Sequence, residues 1–260
     1  MTSQQAEALA KVPAVTLGFW VIKILATTLG ETGGDTLSMT YDMGYLVSSI
    51  IFIVPLVLLV VAQVRASRLH PFLYWATIIA STTAGTTIAD FATRSLGIGY
   101  LGGSLLLLAC VAVSLLAWRA ATGSIAVASI HNARSEIYYW ITITFSQTLG
   151  TALGDWAADD GGLGYLGGAL LFGGLLLALV LLWRFTQLSR VGLFWAAFIL
   201  TRPLGATVGD FLDKPLAEGG LNLSRPLASA VLLVAIIALI ALLPKRAGAA
   251  LPGGSGATRS

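Results

Sequence analysis

A short segment near the N-terminus combines carboxylates and glycines at a spacing that suits a hard cation. It runs from Gly30 to Asp35 with the sequence GETGGD. On a helix, Glu31 and Asp35 lie one turn apart on the same face. The neighbouring glycines let backbone carbonyl oxygens approach the same point, and oxygen atoms are the ligands that hard divalent cations prefer. The segment therefore predicts a metal site with Glu31 and Asp35 as candidate ligands.

Polar residues recur with the period of a helix face after each of four tryptophans. Positions 3, 7, 11 and 15 residues after Trp20, Trp75, Trp140 and Trp195 lie on nearly one face of a helix. In the first copy these positions hold a lysine, a threonine, a glutamate and an aspartate, and the last position is an aspartate in every copy. With one neighbouring threonine, the candidate residues along an ion or substrate path are Lys23, Thr27, Thr28, Glu31, Asp35, Thr82, Thr86, Asp90, Gln147, Thr151, Asp155, Arg202 and Asp210.

Two of these residues are cations near the middle of apolar segments. An unpaired charge at the bilayer centre costs about 2.5–3.5 kcal/mol on insertion scales, so Lys23 and Arg202 are expected to pair with Glu31 and the repeated aspartates. Four aspartates and one glutamate against one lysine and one arginine leave a formal surplus of three negative charges. A surplus of this kind in a low-dielectric setting favours a bound cation or protonated carboxylates. Both are typical of an ion-coupled transporter.

A structural role is the alternative for each of these groups. The aspartates can be solvated helix ends or caps of the following turn, and Lys23, Glu31 and Arg202 can form a buried structural ion pair. The glycine found ten residues after each tryptophan can serve close helix packing, or it can mark a helix break that exposes carbonyl groups. The tryptophans themselves are expected to anchor helices at the membrane surface.

These residues belong to a fourfold internal repeat. Each tryptophan follows another aromatic residue and precedes a glycine by ten residues and an aspartate by fifteen. In the first three copies Gly-Tyr-Leu comes nine residues after the aspartate, starting at Gly44, Gly99 and Gly164. Each copy predicts two helices: helix A, which carries the polar face and ends at the aspartate, and the more apolar helix B. The tryptophan intervals of 55, 65 and 55 residues indicate that a hairpin was duplicated and then the hairpin pair.

The composition of the chain requires a bilayer. Its 260 residues are 57% hydrophobic and 10% charged, with a mean hydropathy of +0.86, which is too apolar for a soluble globule. Eight spans of about 20 residues with short loops account for this length. We therefore expect an all-α integral membrane protein of about eight transmembrane helices in four parallel two-helix repeats. Because most basic residues fall in the loops on one side, both termini are expected to be cytoplasmic.

The repeat boundaries predict the organisation of the chain. The predicted parts are a cytoplasmic N-terminal tail (1–12), repeat 1 (13–68), repeat 2 (69–120), a cytoplasmic linker (121–135), repeat 3 (136–188), repeat 4 (189–246) and a flexible cytoplasmic tail (247–260).

The tryptophan, glycine and aspartate spacing, together with the opening Lys-x3-Thr-Thr-Leu-Gly-Glu-x3-Asp from Lys23, resembles a family of bacterial membrane-anchored proteins built of four copies of a repeat of unknown function. The resemblance covers the chain from about Lys11 to Arg246. It implies an eight-helix inner-membrane protein and no established activity. The GETGGD segment also partly resembles the Glu-x-Gly-Asp signature of cation/proton exchangers that handle manganese and calcium, although Thr36 stands where those proteins carry a basic residue.

The leading functional hypothesis is a multi-pass transporter or exporter in the bacterial inner membrane. It carries a cation, such as the divalent metal manganese, along a path lined by the A helices. One alternative is an anion or organic-acid carrier with Lys23 and Arg202 as the substrate clamp, and another is a non-transporting membrane anchor or sensor. No enzyme is expected, because His70 and His131 lie in loops and no HExxH or nucleophile-elbow motif occurs. The expected partners are the lipid bilayer and a small ion or small-molecule substrate, without nucleic acid or cofactor.

Overall fold

The computed structural model describes residues 11–130 and 132–243, and the elements in these ranges are helices. Most of the predicted N-terminal tail, His131, the basic residues Lys245 and Arg246, and the predicted tail 247–260 lie outside the described residues. The eight long helices are α1 (Leu17–Asp35), α2 (Gly44–Arg65), α3 (Pro71–Asp90), α4 (Tyr100–Thr122), α5 (Ala133–Asp155), α6 (Gly164–Phe185), α7 (Arg190–Asp213) and α8 (Arg225–Leu242).

The odd-numbered helices correspond to the predicted A helices and begin at recognisable caps. Side-chain oxygens of Thr16, Asn132 and Ser189 accept hydrogen bonds from the first turns of α1, α5 and α7. Such caps satisfy backbone N–H groups that have no partner within the helix. Pro71 occupies the first turn of α3, where its missing N–H costs nothing.

The first three A helices end at the repeated aspartate, as predicted. Each continues into one π-helical turn, which covers Thr36–Thr40, Phe91–Ser95 and Trp156–Asp160. The chain then reverses through a left-handed glycine, with φ of 71° at Gly44, 73° at Gly99 and 66° at Gly164. This backbone conformation explains the glycine of Gly-Tyr-Leu, since residues with a Cβ rarely adopt it. In the fourth copy α7 continues past Asp210 to Asp213 and is followed by a 3₁₀ turn.

The A helices form a closed inner ring. In the ring, α1 packs against α3, α3 against α5, α5 against α7, and α7 against α1. Each even-numbered B helix packs mainly against the A helix of the next repeat: α2 on α3, α4 on α5, α6 on α7 and α8 on α1. Aromatic residues at the starts of neighbouring A helices contact one another, and so do charged residues at their aspartate ends. The four A helices therefore run side by side in the same direction.

Five of the described helices are long and apolar enough to cross a membrane. They are the four B helices and α7. The B helices leave most of their leucine, isoleucine and valine side chains on the outside of the bundle, where hydrocarbon is the matching solvent. The remaining A helices, α1, α3 and α5, carry more polar residues, and these lie inside the ring.

Candidate functional site

The predicted polar residues all lie inside the ring of A helices. Each of the thirteen candidates is buried, with an exposure of 2% or less. Two of the threonines are satisfied by their own helix, because Thr27 Oγ1 donates to the Ile24 carbonyl at 2.8 Å and Thr28 Oγ1 donates to the same oxygen at 3.0 Å. These two hydroxyls support α1 more than they offer a ligand site.

The repeated glycines set the distance between neighbouring A helices. The helices run without a break through all four glycines. Each glycine faces the residue seven positions after the tryptophan of the next repeat, and a Cβ there would crowd that residue. The pairs are Gly30 with Thr82, Gly85 with Gln147, Gly150 with Arg202, and Gly205 with Thr27. The close-packing prediction is confirmed, and the alternative of a helix break is wrong.

Arg202 occupies the centre of the ring. Its Nη2 lies 2.9 Å from Glu31 Oε2 on α1, and the predicted ion pair with Glu31 is therefore confirmed. The same nitrogen lies 2.6 Å from Thr86 Oγ1 on α3 and 2.5 Å from Thr151 Oγ1 on α5. Glu31, Thr86 and Thr151 all stand eleven residues after their tryptophans. The same position on α7 is Ala206, which is fully buried.

Lys23 has no carboxylate partner among the described residues, so the predicted pairing is wrong for this cation. Its Nζ lies 3.4 Å from Gln147 Oε1 and 4.2 Å from the centre of the Phe198 ring. Glu31 is eight residues further along the same helix, a rise of about 12 Å, and it is already paired with Arg202. The ammonium group is instead stabilised by an amide oxygen and an aromatic face.

Two cations outside the predicted set of residues belong to the site. Arg94 bridges two neighbouring repeats, because its Nε lies 3.1 Å from Asp90 Oδ1 and its Nη2 lies 3.3 Å from Asp155 Oδ2. Lys214 does the same between the fourth and first repeats, with its Nζ 3.1 Å from Asp210 Oδ1 and 2.9 Å from Asp35 Oδ2.

A sequence signal for these cations exists. Arg94 and Lys214 each stand four residues after the repeated aspartate, which is one helical turn. The first and third repeats have Met39 and Asp159 at that position, so the cations occupy alternate interfaces of the ring. Burial alone lowers the pKa of Lys214, but the nearby carboxylates of Asp210 and Asp35 outweigh it and hold that pKa well above its usual value.

The predicted surplus of three negative charges is wrong. Five carboxylates stand 11 or 15 residues after the tryptophans, namely Glu31 and the four repeated aspartates. Four cations share the ring with them, namely Lys23, Arg94, Arg202 and Lys214, which leaves one formal negative charge. A further carboxylate, Asp213, has its own partner, because its Oδ1 lies 3.3 Å from Arg225 Nε. The interior of the ring is therefore nearly neutral, as expected for groups removed from water.

Three carboxylates meet at one interface of the ring. Glu31, Asp35 and Asp210 each offer one oxygen, and these oxygens lie within 4.8 Å of one another. The structure thus joins the two predicted metal ligands and adds Asp210 from α7. Asp35 Oδ1 is buried without a hydrogen-bond partner in the described part of the chain. Buried carboxylate oxygens converging in this way fit a hard cation, and we call these three residues the carboxylate cluster.

A vestibule of about 600 Å³ lies at the aspartate end of the ring. Its lining includes Arg94, Lys214 and Arg225, the cations that pair with the buried aspartates. Tyr45 and Tyr165, from the repeated Gly-Tyr-Leu, also line it. Lys214, which contacts Asp35 and Asp210 of the carboxylate cluster, also lines the vestibule.

The opposite end of the ring is filled by aromatic side chains. The hydroxyls of Tyr74 and Tyr139 lie 2.6 Å apart, and both rings are fully buried. Trp75, Trp140 and Trp195 are each 3% exposed or less, so the predicted anchoring at the membrane surface is wrong for these three tryptophans. Their indoles pack on neighbouring aromatic rings, among them Phe19, Tyr74 and Tyr139, because the starts of the A helices converge. This end is closed.

The fold and the site define a membrane-type helical protein built of internal repeats around a buried, charged axis. The chain belongs to the family described as Repeat of Unknown Function (DUF347), which matches residues 18–68, 73–124, 138–189 and 193–247. These four matches confirm both the fourfold repeat and the family resemblance. Neither the curated proteins nor the solved structures contain a match to the chain.

Proposed function

We propose that this protein is a multi-pass transporter of the bacterial inner membrane that carries a cation, most favourably a divalent metal such as manganese. The path runs through the ring of A helices. The carboxylate cluster is the binding site, and the vestibule is its entrance. The protein needs no cofactor in this role and is not an enzyme.

In this proposal all eight helices cross the bilayer and both termini are cytoplasmic. α1, α3 and α5 are less apolar because they turn polar residues to the ring interior, and B helices pack outside the ring. Most basic loop residues, among them Arg68, Arg119 and Arg190, flank the aromatic end of the bundle. The positive-inside rule assigns that end to the cytoplasm. The vestibule then opens to the opposite side of the membrane.

The observation that carries the proposal is the carboxylate cluster. Charged residues inside membrane spans are costly and usually mark ion or substrate pathways. Glu31, Asp35 and Asp210 come from two A helices and converge within 4.8 Å, and Lys214, which contacts two of them, lines the vestibule. A membrane anchor needs no such convergence. Once Lys214 has left Asp35 and Asp210, a bound divalent cation has a favourable charge balance here, since its two charges and that of Arg202 neutralise the three carboxylates.

The test is manganese flux into proteoliposomes that contain a fluorophore quenched by Mn²⁺. Glu31→Gln and Asp35→Asn are expected to abolish quenching, because each removes one anionic ligand. Asp155→Asn is the matched control: Asp155 is equally buried but faces Arg94 on the other side of the ring. It should retain flux. Size-exclusion chromatography establishes that each variant is inserted and folded.

Wild-type flux in both Glu31→Gln and Asp35→Asn would refute the proposed site. Equal loss in all three variants, with folding intact, would show that the aspartates act together as an architectural ring and that the cluster has no special role. Absence of Mn²⁺ flux in the wild-type protein would exclude manganese as the substrate.

A second candidate function is the transport of a small organic anion. Its support comes from unpaired donors: Arg202 Nε and Nη1 and Gln147 Nε2 are buried without partners in the described residues. Donors without acceptors in a buried site favour an anionic ligand. In the same vesicles, a dicarboxylate such as succinate would be transported, and Mn²⁺ would not, if this candidate is correct. Flux of Mn²⁺ that is indifferent to succinate favours the cation transporter.

A further inference from the structure

We propose that Lys214 is an internal competitor for the transported cation: its ammonium group occupies the carboxylate cluster when the site is empty and leaves it when a divalent cation binds. This inference rests on the proposed cation function and concerns how the same site is loaded. It assigns a specificity-determining role to a residue outside the predicted set.

The Lys214 ammonium group lies where a bound cation would lie. The Lys214 Nζ contacts two of the three cluster carboxylates, at 2.9 Å from Asp35 Oδ2 and 3.1 Å from Asp210 Oδ1. A cation held by Asp35 and Asp210 would occupy the same space and neutralise the same charges. The ammonium and the substrate cation therefore exclude each other.

The Lys214 side chain can leave the carboxylate cluster without a change in the fold. Lys214 is the first residue after α7, with an extended backbone, and its side chain lines the vestibule. A lysine side chain has four flexible carbons and a strongly hydrated head group. The ammonium can thus move from the cluster into the water of the vestibule without a change in any helix.

The charge balance of the carboxylate cluster favours a divalent cation in place of Lys214. When ionised, Glu31, Asp35 and Asp210 together carry three negative charges, and Arg202 supplies one positive charge. Lys214 leaves this group one charge short of neutrality, whereas a divalent cation in its place makes it neutral. A divalent cation added while Lys214 stays would leave an excess positive charge in a buried site, which is unfavourable. Exchange of Lys214 for a divalent cation is the balanced arrangement.

The interface between the second and third repeats has an equivalent bridge with different residues. There Arg94 bridges Asp90 and Asp155 in the same way. The position that corresponds to Glu31 is Thr151, so the third carboxylate is missing. The planar guanidinium holds two carboxylates more rigidly than an ammonium does. One interface is therefore a fixed clamp, and the other combines an exchangeable cation with an extra ligand.

The test measures Mn²⁺ binding to the purified full-length protein in detergent by equilibrium dialysis. Lys214→Gln removes the competing charge and should tighten binding by roughly 5- to 150-fold, the usual range for two ligands coupled through one site. Lys214→Arg should weaken binding, because the guanidinium holds the carboxylates more firmly. Lys11→Gln, which removes the ion pair with Glu136 at the opposite end of the bundle, is the control and should leave the affinity within about twofold of wild type.

A second measurement uses the wild-type protein and needs no substitution. Brief treatment with acetic anhydride followed by mass spectrometry reports how accessible Lys214 is. Mn²⁺ should increase acetylation of Lys214, because the displaced amine enters the vestibule, and Mn²⁺ should leave Lys11 acetylation unchanged.

The outcomes separate the two proposals. If neither the wild type nor Lys214→Gln binds Mn²⁺, the cation site itself is wrong and this inference fails with it. If the wild type binds Mn²⁺ but Lys214→Gln binds it equally or more weakly, or if Mn²⁺ leaves Lys214 acetylation unchanged, only the inference is overturned. Lys214 would then be a structural partner of the aspartates.

Discussion

The pair formed by Glu31 and Arg202 allows a quantitative test of the buried axis. Arg202 is fully buried and the Glu31 side chain is 3% exposed, with 2.9 Å between Nη2 and Oε2. Removing one partner of a buried ion pair typically costs about 3–5 kcal/mol, because an uncompensated charge remains. Glu31→Gln should lie near the lower end, since the amide oxygen still accepts a hydrogen bond and Thr86 and Thr151 still contact the guanidinium.

The opposite substitution should cost less. Arg202→Met keeps the aliphatic part of the side chain that packs on Gly150. It leaves Glu31 unpaired, but a carboxylic acid can become neutral by taking a proton, whereas a guanidinium cannot lose one. We therefore expect about 1–3 kcal/mol for Arg202→Met. The double variant carries no buried charge at this point and should lie close to wild type, so the coupling free energy should reach at least about 2 kcal/mol.

The assay is equilibrium unfolding in mixed micelles of a mild detergent and sodium dodecyl sulfate, followed by circular dichroism. Hydrogen bonds between membrane helices give coupling energies that average about 0.6 kcal/mol and reach about 1.7. A value above that range identifies a true ion pair. Asp160→Asn, an exposed carboxylate, is the control and should change stability by less than about 0.5 kcal/mol. Additive effects of Glu31→Gln and Arg202→Met would refute the pairing.

Two further predictions concern packing and topology. Gly150→Ala should destabilise the protein by about 1–3 kcal/mol in the same unfolding assay, because the new methyl overlaps the Arg202 side chain. Gly173→Ala is the control and should not destabilise the protein, because no atom lies within 4 Å of the added methyl. An equal loss of stability in both variants would contradict the packing. In a Cys110→Ala background, Ser67→Cys and Asp160→Cys, both at exposed positions, should react with a membrane-impermeant maleimide from opposite sides of the membrane. Labelling of both from one side would contradict the proposed orientation.

The sequence predicted the repeat and the helix pairs well because their determinants are local. The aspartate end of each A helix, the left-handed glycine of Gly-Tyr-Leu and the packing glycine ten residues after the tryptophan each depend on a few neighbouring residues. Such features recur at fixed spacing, so four copies reinforce one another. The same spacing predicted that the polar positions share one face, and they are all buried inside the ring.

Apart from the pair of Glu31 and Arg202, the ion pairs could not be predicted, because they depend on how the repeats close into a ring. Lys23 and Glu31 share α1, but Glu31 pairs with Arg202 on α7, which lies 171 residues further along the chain. Arg94 and Lys214 follow the repeated aspartates at the helix ends, so the polar face of the A helices did not include them. Each completes a bridge to the next repeat that appears only when α3 meets α5 and α7 meets α1. Without these contacts the charge count was too negative.

The departures from fourfold symmetry explain how one interface can become a binding site. The basic residue four positions after the aspartate occurs in the second and fourth repeats only, so the ring has a twofold pattern of clamps. The two clamps differ at two positions. Position 31 is glutamate where the equivalent position 151 is threonine, and position 214 is lysine where the equivalent position 94 is arginine. The first adds an anionic ligand, and the second makes the bridging cation releasable. Exchanging them, as Glu31→Thr with Lys214→Arg, should produce a ring with two rigid clamps that folds but no longer binds Mn²⁺. Retained Mn²⁺ binding in that double variant would mean that the site lies elsewhere along the axis.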